Sequence, residues 1–149
     1  MSGGNAVAVV ISLAAGLGGS VQAAIVGKLG DRIGSIEALG FSMLLAGLTG
    51  TALLLVARQS LGGVATGFRQ PVWLWAGGVL SAVIVLSLTI ATPRIGVTAV
   101  IGLLIGGQLA MAAVIDRLGL FGFDRVALHW PRVLGIVLLA TGAALSLRK

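Results

Sequence analysis

The chain has 149 residues, of which 58% are hydrophobic and 9% charged, and its mean hydropathy is +1.13. About a quarter of a soluble domain is charged, so ten basic and four acidic side chains cannot coat a water-soluble fold of this size, and the apolar content equally excludes disorder. The net charge of +6 is scattered singly between apolar runs, the pattern of membrane flanks rather than of a nucleic-acid patch.

A spanning helix needs about 20 mostly apolar residues, and the charges cut the chain into five such runs. The first is about Asn5–Gly27. No charge occurs from Met1 to Gly27 and no basic n-region precedes the run, so it reads as a span and not as a cleavable signal. The second is about Ile36–Ala57, closed by Arg58, with Ser35 as the expected N-cap. Gln59–Gln70 follows as the longest link, and Gly62, Gly63 and Gly67 mark it as the most mobile one. The third run is about Val72–Ala91 and the fourth about Ile95–Ile115. The fifth, about 132–147, keeps only 15 residues between Arg132 and Arg148. It crosses if both arginines snorkel and the bilayer thins. Pro71, Pro93 and Pro131 each stand just before an apolar run, where a missing N–H costs nothing. Trp73, Trp75 and Trp130 lie near expected helix starts, at the level of an aromatic belt. The chain is thus expected to be an all-α membrane protein, one transmembrane domain over residues 1–149 with five helices per protomer.

Twenty-four glycines need a reason. Helices in lipid associate through small residues that let backbones approach. Gly16 with Ser20, Ala46 with Gly50, and Gly102 with Gly106 beside Gly107 have the required spacing. Gly16, Gly102 and Gly106 are the expected packing positions. Packing within one protomer and a dimer seam on the fourth helix are both open.

Five spans put the termini on opposite sides. Arg58, Arg69, Arg117, Arg125 and Arg132 then face one side, and Lys28, Arg32, Arg94, Arg148 and Lys149 the other. The positive-inside rule orients a protein by the difference between these counts, which here is zero. Insertion both ways, and an antiparallel homodimer, are expected, against a fixed orientation set by a partner or by early charges. Two inverted copies supply the ten-helix inverted repeat on which many transporters are built.

Few side chains can carry chemistry. Gln108 lies inside the fourth run, where an amide must find partners or pay for desolvation. It either contacts substrate, with Gly107 clearing the approach, or ties helices together. Gln22 near the end of the first run has the same two roles. Trp75 can offer a π-face to a solute, or sit in the belt. Glu37 is the only carboxylate close to a span. It either complements the second helix's dipole or couples transport to a proton or cation. Asp31 with Arg32, and Asp116 with Arg117, are expected in loops as interfacial charge pairs. Catalysis has no support, since there is no Ser-His-Asp set, metal-ligand cluster or phosphate loop. His129 reads as interfacial. No cofactor and no metal is expected, and without Cys there is no disulfide or thiolate site.

The strongest stretch is Ile95-Gly96, then Gly106-Gly107-Gln108-Leu109, then Ile115-Asp116-Arg117-Leu118-Gly119-Leu120-Phe121-Gly122. It resembles the fourth helix and following loop of the YdcZ-type small transporters, five-helix members of the drug/metabolite transporter superfamily (EamA-like), with Arg117 in place of the usual His. Val21-Gln22-Ala23-Ala24-Ile25, Leu29-Gly30, Gly34-Ser35, Gly77-Gly78 and Arg132-Val133-Leu134-Gly135 with Gly142 extend the similarity over the chain. Val26 stands where that family usually has Asn, Met43-Leu44 where Ser-Phe is common, and Ile84 where an aromatic is frequent. The resemblance implies a secondary transporter in the bacterial inner membrane, exporting a small metabolite or drug-like solute by alternating access. Its partners would be the lipid bilayer, the solute, and a second copy of itself or a homologous short chain. A half-transporter needing that different chain, and a non-transporting membrane assembly subunit, are the alternatives.

Overall fold

The computed structural model describes residues 3–127 and 130–146, so the expectations for His129, Arg148 and Lys149 fall outside the described residues. The described chain is helical nearly throughout. Its elements are α1 (Gly3–Ile33), α2 (Ser35–Arg58), α3 (Gly62–Phe68), a 3-10 turn (Val72–Trp75), α4 (Ala76–Ile95), α5 (Val97–Leu118), a second 3-10 turn (Leu120–Gly122) and α6 (Trp130–Ser146). Helix is what lipid demands, because no water is present to satisfy a stray backbone N–H or C=O. Asn5–Ile33, Ser35–Arg58, Val72–Ile95 and Val97–Leu118 are each long and apolar enough to cross a bilayer. The 17 residues of α6 give about 25 Å, short of a hydrocarbon core of about 30 Å.

The chain divides into two compact units, one of Met1–Ser20 with Arg94–Lys149 and one of Val21–Pro93. Apolar side chains point outward in both, as in Leu17 and in Val56, which is 82% exposed. Such a surface is stable only against lipid or another protein.

Within Val21–Pro93 the tightest packing joins α1 to α4. Ala23, Val26, Gly27 and Gly30 are buried on α1, and Val85, Leu88, Thr89 and Thr92 on α4. Each set follows the i, i+3, i+4, i+7 spacing of one helix face. A Cβ on Gly27 would stand 2.6 Å from Thr92 Cβ, and one on Gly30 would stand 2.9 Å from the Thr89 carbonyl oxygen. Only glycine permits this approach. Pro93 adds to it. It lies inside α4, and having no N–H it cannot bond the carbonyl four residues back, that of Thr89. The freed oxygen is the one Gly30 faces.

In the other unit α5 packs along α6. Thr98 and Gly102 of α5 and Leu138, Leu139, Gly142 and Ser146 of α6 line a groove of about 330 Å³. After α5 the chain turns through three left-handed residues, Gly119 (φ 66°), Phe121 (φ 59°) and Gly122 (φ 84°). The Gly119 N–H closes α5 on the Ile115 carbonyl, and the Val126 N–H donates to the Asp116 carbonyl at 2.8 Å, folding the loop back. This is why the Ile115–Gly122 motif carries its two glycines.

Several expectations are corrected. The helices α1 and α2 are separated by Gly34 alone, and α4 and α5 by Gly96 alone. Both glycines adopt a positive φ with extended ψ (100°, 149° and 83°, 158°), a region open essentially to glycine only. Gly34, not Ser35, is therefore the cap of α2. The same tripeptide, Arg-Ile-Gly, makes both joints, at 32–34 and 94–96. Lys28, Asp31 and Arg32 belong to α1 and not to a loop, and Asp31 pairs with Lys28 at 3.9 Å, one turn away. Asp116 and Arg117 lie in the last turn of α5. Pro93 is inside a helix rather than ahead of one, and the Gln59–Gln70 link contains the helix α3. Gly16 and Gly106 remain candidates for packing against a second copy. A Cβ on either would meet nothing within 4 Å, and the same holds for Gly107 and Gly50. Gly27 and Gly30 are the glycines on which an added Cβ would collide with a neighbouring helix among those described, while Gly102 lines the groove between α5 and α6.

Candidate functional site

Gln108 is the twelfth of the 22 residues of α5, and so sits at the midpoint of a helix about 33 Å long. It is exposed, and so are Gly107, Leu109 and Met111 around it. Open space at Gly106 and Gly107 leaves the amide without steric cover. The amide is polar, central in the span and turned away from the packed face of its own helix. That is a place for a solute or another chain.

The Val21–Pro93 unit holds the other candidates. Gln22 is exposed beside the buried Ala23–Gly30 face. Because α1 continues to Ile33, Gln22 lies well inside the helix, about 9 Å before Lys28. Val26, at the usual Asn position of the resemblance, is 6% exposed in the α1–α4 seam, so its polar group is lost from a packed contact and not from an open surface. Glu37 is exposed in the first turn of α2, and its carboxylate folds back against Gly34, the cap of that helix. This geometry fits a charge complementing the helix N-terminus.

Trp75 sits in a setting that the sequence reading did not single out. Its ring meets that of Phe68 edge-on, with centroids 5.7 Å apart and planes at 89°, a favourable aromatic geometry. Together with Val64, Gly67, Gln70 and Leu74 these two rings line a groove of about 390 Å³. Phe68 stands in a glycine-rich link that reads as loop, so the sequence does not single it out. The one available signal was an aromatic ahead of the Pro71-Val72-Trp73-Leu74-Trp75 cluster. Among the described residues no three His, Asp or Glu side chains gather as a metal site.

Residues 7–145 match the family described as "Putative inner membrane exporter, YdcZ". The chain belongs to this family. No curated protein and no solved structure matches it. This YdcZ-family protein is therefore a multi-pass protein of the inner membrane and a member of a transporter family, not of an enzyme family. The match covers all four long apolar helices nearly in full and all of α6 but its last residue.

Proposed function

We propose that this chain is half of a secondary transporter of the drug/metabolite superfamily, and that two copies in opposite orientations export a small metabolite or drug-like solute by alternating access. The observation that carries the reading is Gln108, an exposed amide at the midpoint of α5 flanked by open glycines. An unpaired amide in hydrocarbon costs a few kcal/mol, and at a lipid-facing surface that cost would go unrecovered. A solute held at the midplane between two copies recovers it, which is where inverted-repeat transporters bind substrate. Gly107 opens the approach, and Gln22, an exposed amide in the Val21–Pro93 unit, is a separate candidate for solute contact. The five-span topology, with α6 as a short fifth span, places the basic residues evenly and supports opposite insertion. Glu37 is the one carboxylate at the start of a spanning helix and is the coupling candidate.

Flux into liposomes containing only the purified chain tests this. Wild-type protein transports without another subunit, and Gln108→Ala abolishes flux while the folded dimer persists. Flux that instead falls in step with the folded fraction makes Gln108 an interhelical tie. Glu37→Gln keeps shape and removes charge. In a coupled transporter it flattens the dependence of flux on pH. An unchanged curve, with a stability loss of about 0.3–1 kcal/mol, leaves Glu37 as a helix-terminus charge only.

A further inference from the structure

We propose that the Phe68–Trp75 groove is a binding site for an anionic phospholipid, with an acyl chain lying in the groove and Arg69 holding the phosphate. The reading is independent of the transport cycle.

Three observations carry it. First, the groove is apolar and aromatic, and it stays open in the protomer: Phe68 is 69% exposed and Trp75 44%. A second groove of about 370 Å³, lined by Thr51, Leu61, Val64, Ala65 and Phe68, adjoins it across α3. Second, the shared lining places α3 in the membrane. Thr51 is seven residues, about 10 Å, before Arg58 at the end of α2, and it lines the same groove as Phe68. Phe68 of α3 therefore shares a groove with α2 at Thr51, a residue within a membrane-spanning helix. Apolar side chains at this level face acyl chains, not water. Third, the charge is unmatched. Arg69 is exposed and lies between Phe68 and Gln70, both of which line the groove. Residues 38–115 contain no Asp or Glu, and among the described residues no carboxylate pairs with Arg69. An arginine brought back toward the hydrocarbon needs an anion, and the nearest supply at that depth is a lipid phosphate. A solute carried across the bilayer is a poorer occupant, because the groove lies beside the end of a span and not at its midplane.

Trp75 provides the test. The chain has three tryptophans, so the Trp73→Phe, Trp130→Phe double variant leaves Trp75 as the sole indole emitter. The full chain is reconstituted in phosphatidylcholine bilayers, with a minor fraction of either phosphatidylglycerol or phosphatidylcholine brominated in its acyl chains. Contact with bromine quenches Trp75. Brominated phosphatidylglycerol is expected to quench at about one-fifth the mole fraction that brominated phosphatidylcholine needs, the preference that one arginine near a phosphate gives. Arg69→Gln abolishes the preference, Arg69→Lys retains part of it, and Arg94→Gln, which removes the same charge elsewhere, leaves it intact. Millimolar inorganic phosphate does not reverse the quenching. Equal quenching by both lipids overturns the proposal, as does a preference that survives Arg69→Gln. Reversal by inorganic phosphate would make this a free-anion site. Protection of Trp75 from both lipids would mean that protein covers the groove.

Discussion

Thr92 has a buried hydroxyl with no hydrogen-bond partner among the described residues. Its neighbour one turn back, Thr89, is as deeply buried but donates to the Leu86 carbonyl at 2.8 Å. Both threonines serve the seam by shape, since their β-branches fill the space left by Gly27 and Gly30. The Thr92 oxygen gains nothing there and loses its solvation. Thr92→Val keeps the branch and removes the polar atom. It should raise stability by about 1 kcal/mol, the lower end of the cost of an unsatisfied buried group, read as a higher unfolding midpoint in detergent. A fall of that size would mean that the hydroxyl bonds to a group outside the protomer. Gln59 makes a second residue-scale case. It closes α2 in the left-handed region at φ 51° and ψ 25°, a conformation that costs an L-residue roughly 1–2 kcal/mol. Gln59→Gly should recover part of that cost, and thermal unfolding of the variant measures it. No change would mean that the Gln59 side chain compensates its backbone.

At the scale of elements, glycines of two kinds are now distinguishable. Gly27 and Gly30 pack α1 on α4, whereas Gly16, Gly50, Gly106 and Gly107 face open space in the protomer. Gly27→Ala forces a carbon against the rigid branch of Thr92 and should destabilise the fold by about 1–3 kcal/mol, visible as earlier unfolding at any protein concentration. At Gly106 an added Cβ meets nothing within 4 Å in its own chain, so Gly106→Leu tests what lies outside it. If a second copy lies on α5, that variant should lose dimer at unchanged monomer helicity, seen by cross-linking and circular dichroism. An intact dimer would show that the Gly106 face meets only lipid. The helical elements themselves were legible in the sequence, because apolar runs and prolines mark them locally. Their ends were not. Charges bound the apolar runs, yet Lys28, Asp31 and Arg32 continue α1 to Ile33, and the actual stops are Gly34 and Gly96, whose backbone conformation a side chain cannot adopt. The repeated Arg-Ile-Gly was present in the sequence but becomes meaningful only once both joints are seen.

For the whole molecule, the balanced distribution of Lys and Arg predicts insertion in both orientations. A reporter at the C-terminus should give cytoplasmic and periplasmic signal together, and two or three added lysines on one side should bias it. A single orientation in cells expressing this chain alone would remove the antiparallel homodimer and leave a fixed-orientation or heteromeric assembly. By itself the sequence determined the solvent, the helical class and the family. Each follows from local content: hydropathy selects lipid, lipid compels helix, and the Gly107–Gly122 motif is contiguous. What only the tertiary structure decided is which small residues touch. Spacing of the small-xxx-small kind is satisfied by many of the 24 glycines, and it says nothing about what stands opposite. Gly27 and Gly30 are singled out because α4 presents Thr89 and Thr92 there, with a carbonyl that Pro93 has left without its donor. Phe68 likewise meets Trp75 only because the chain turns between α3 and the 3-10 turn at Val72–Trp75. A pairing between distant segments is a property of two surfaces at once, and one stretch of sequence describes only one of them.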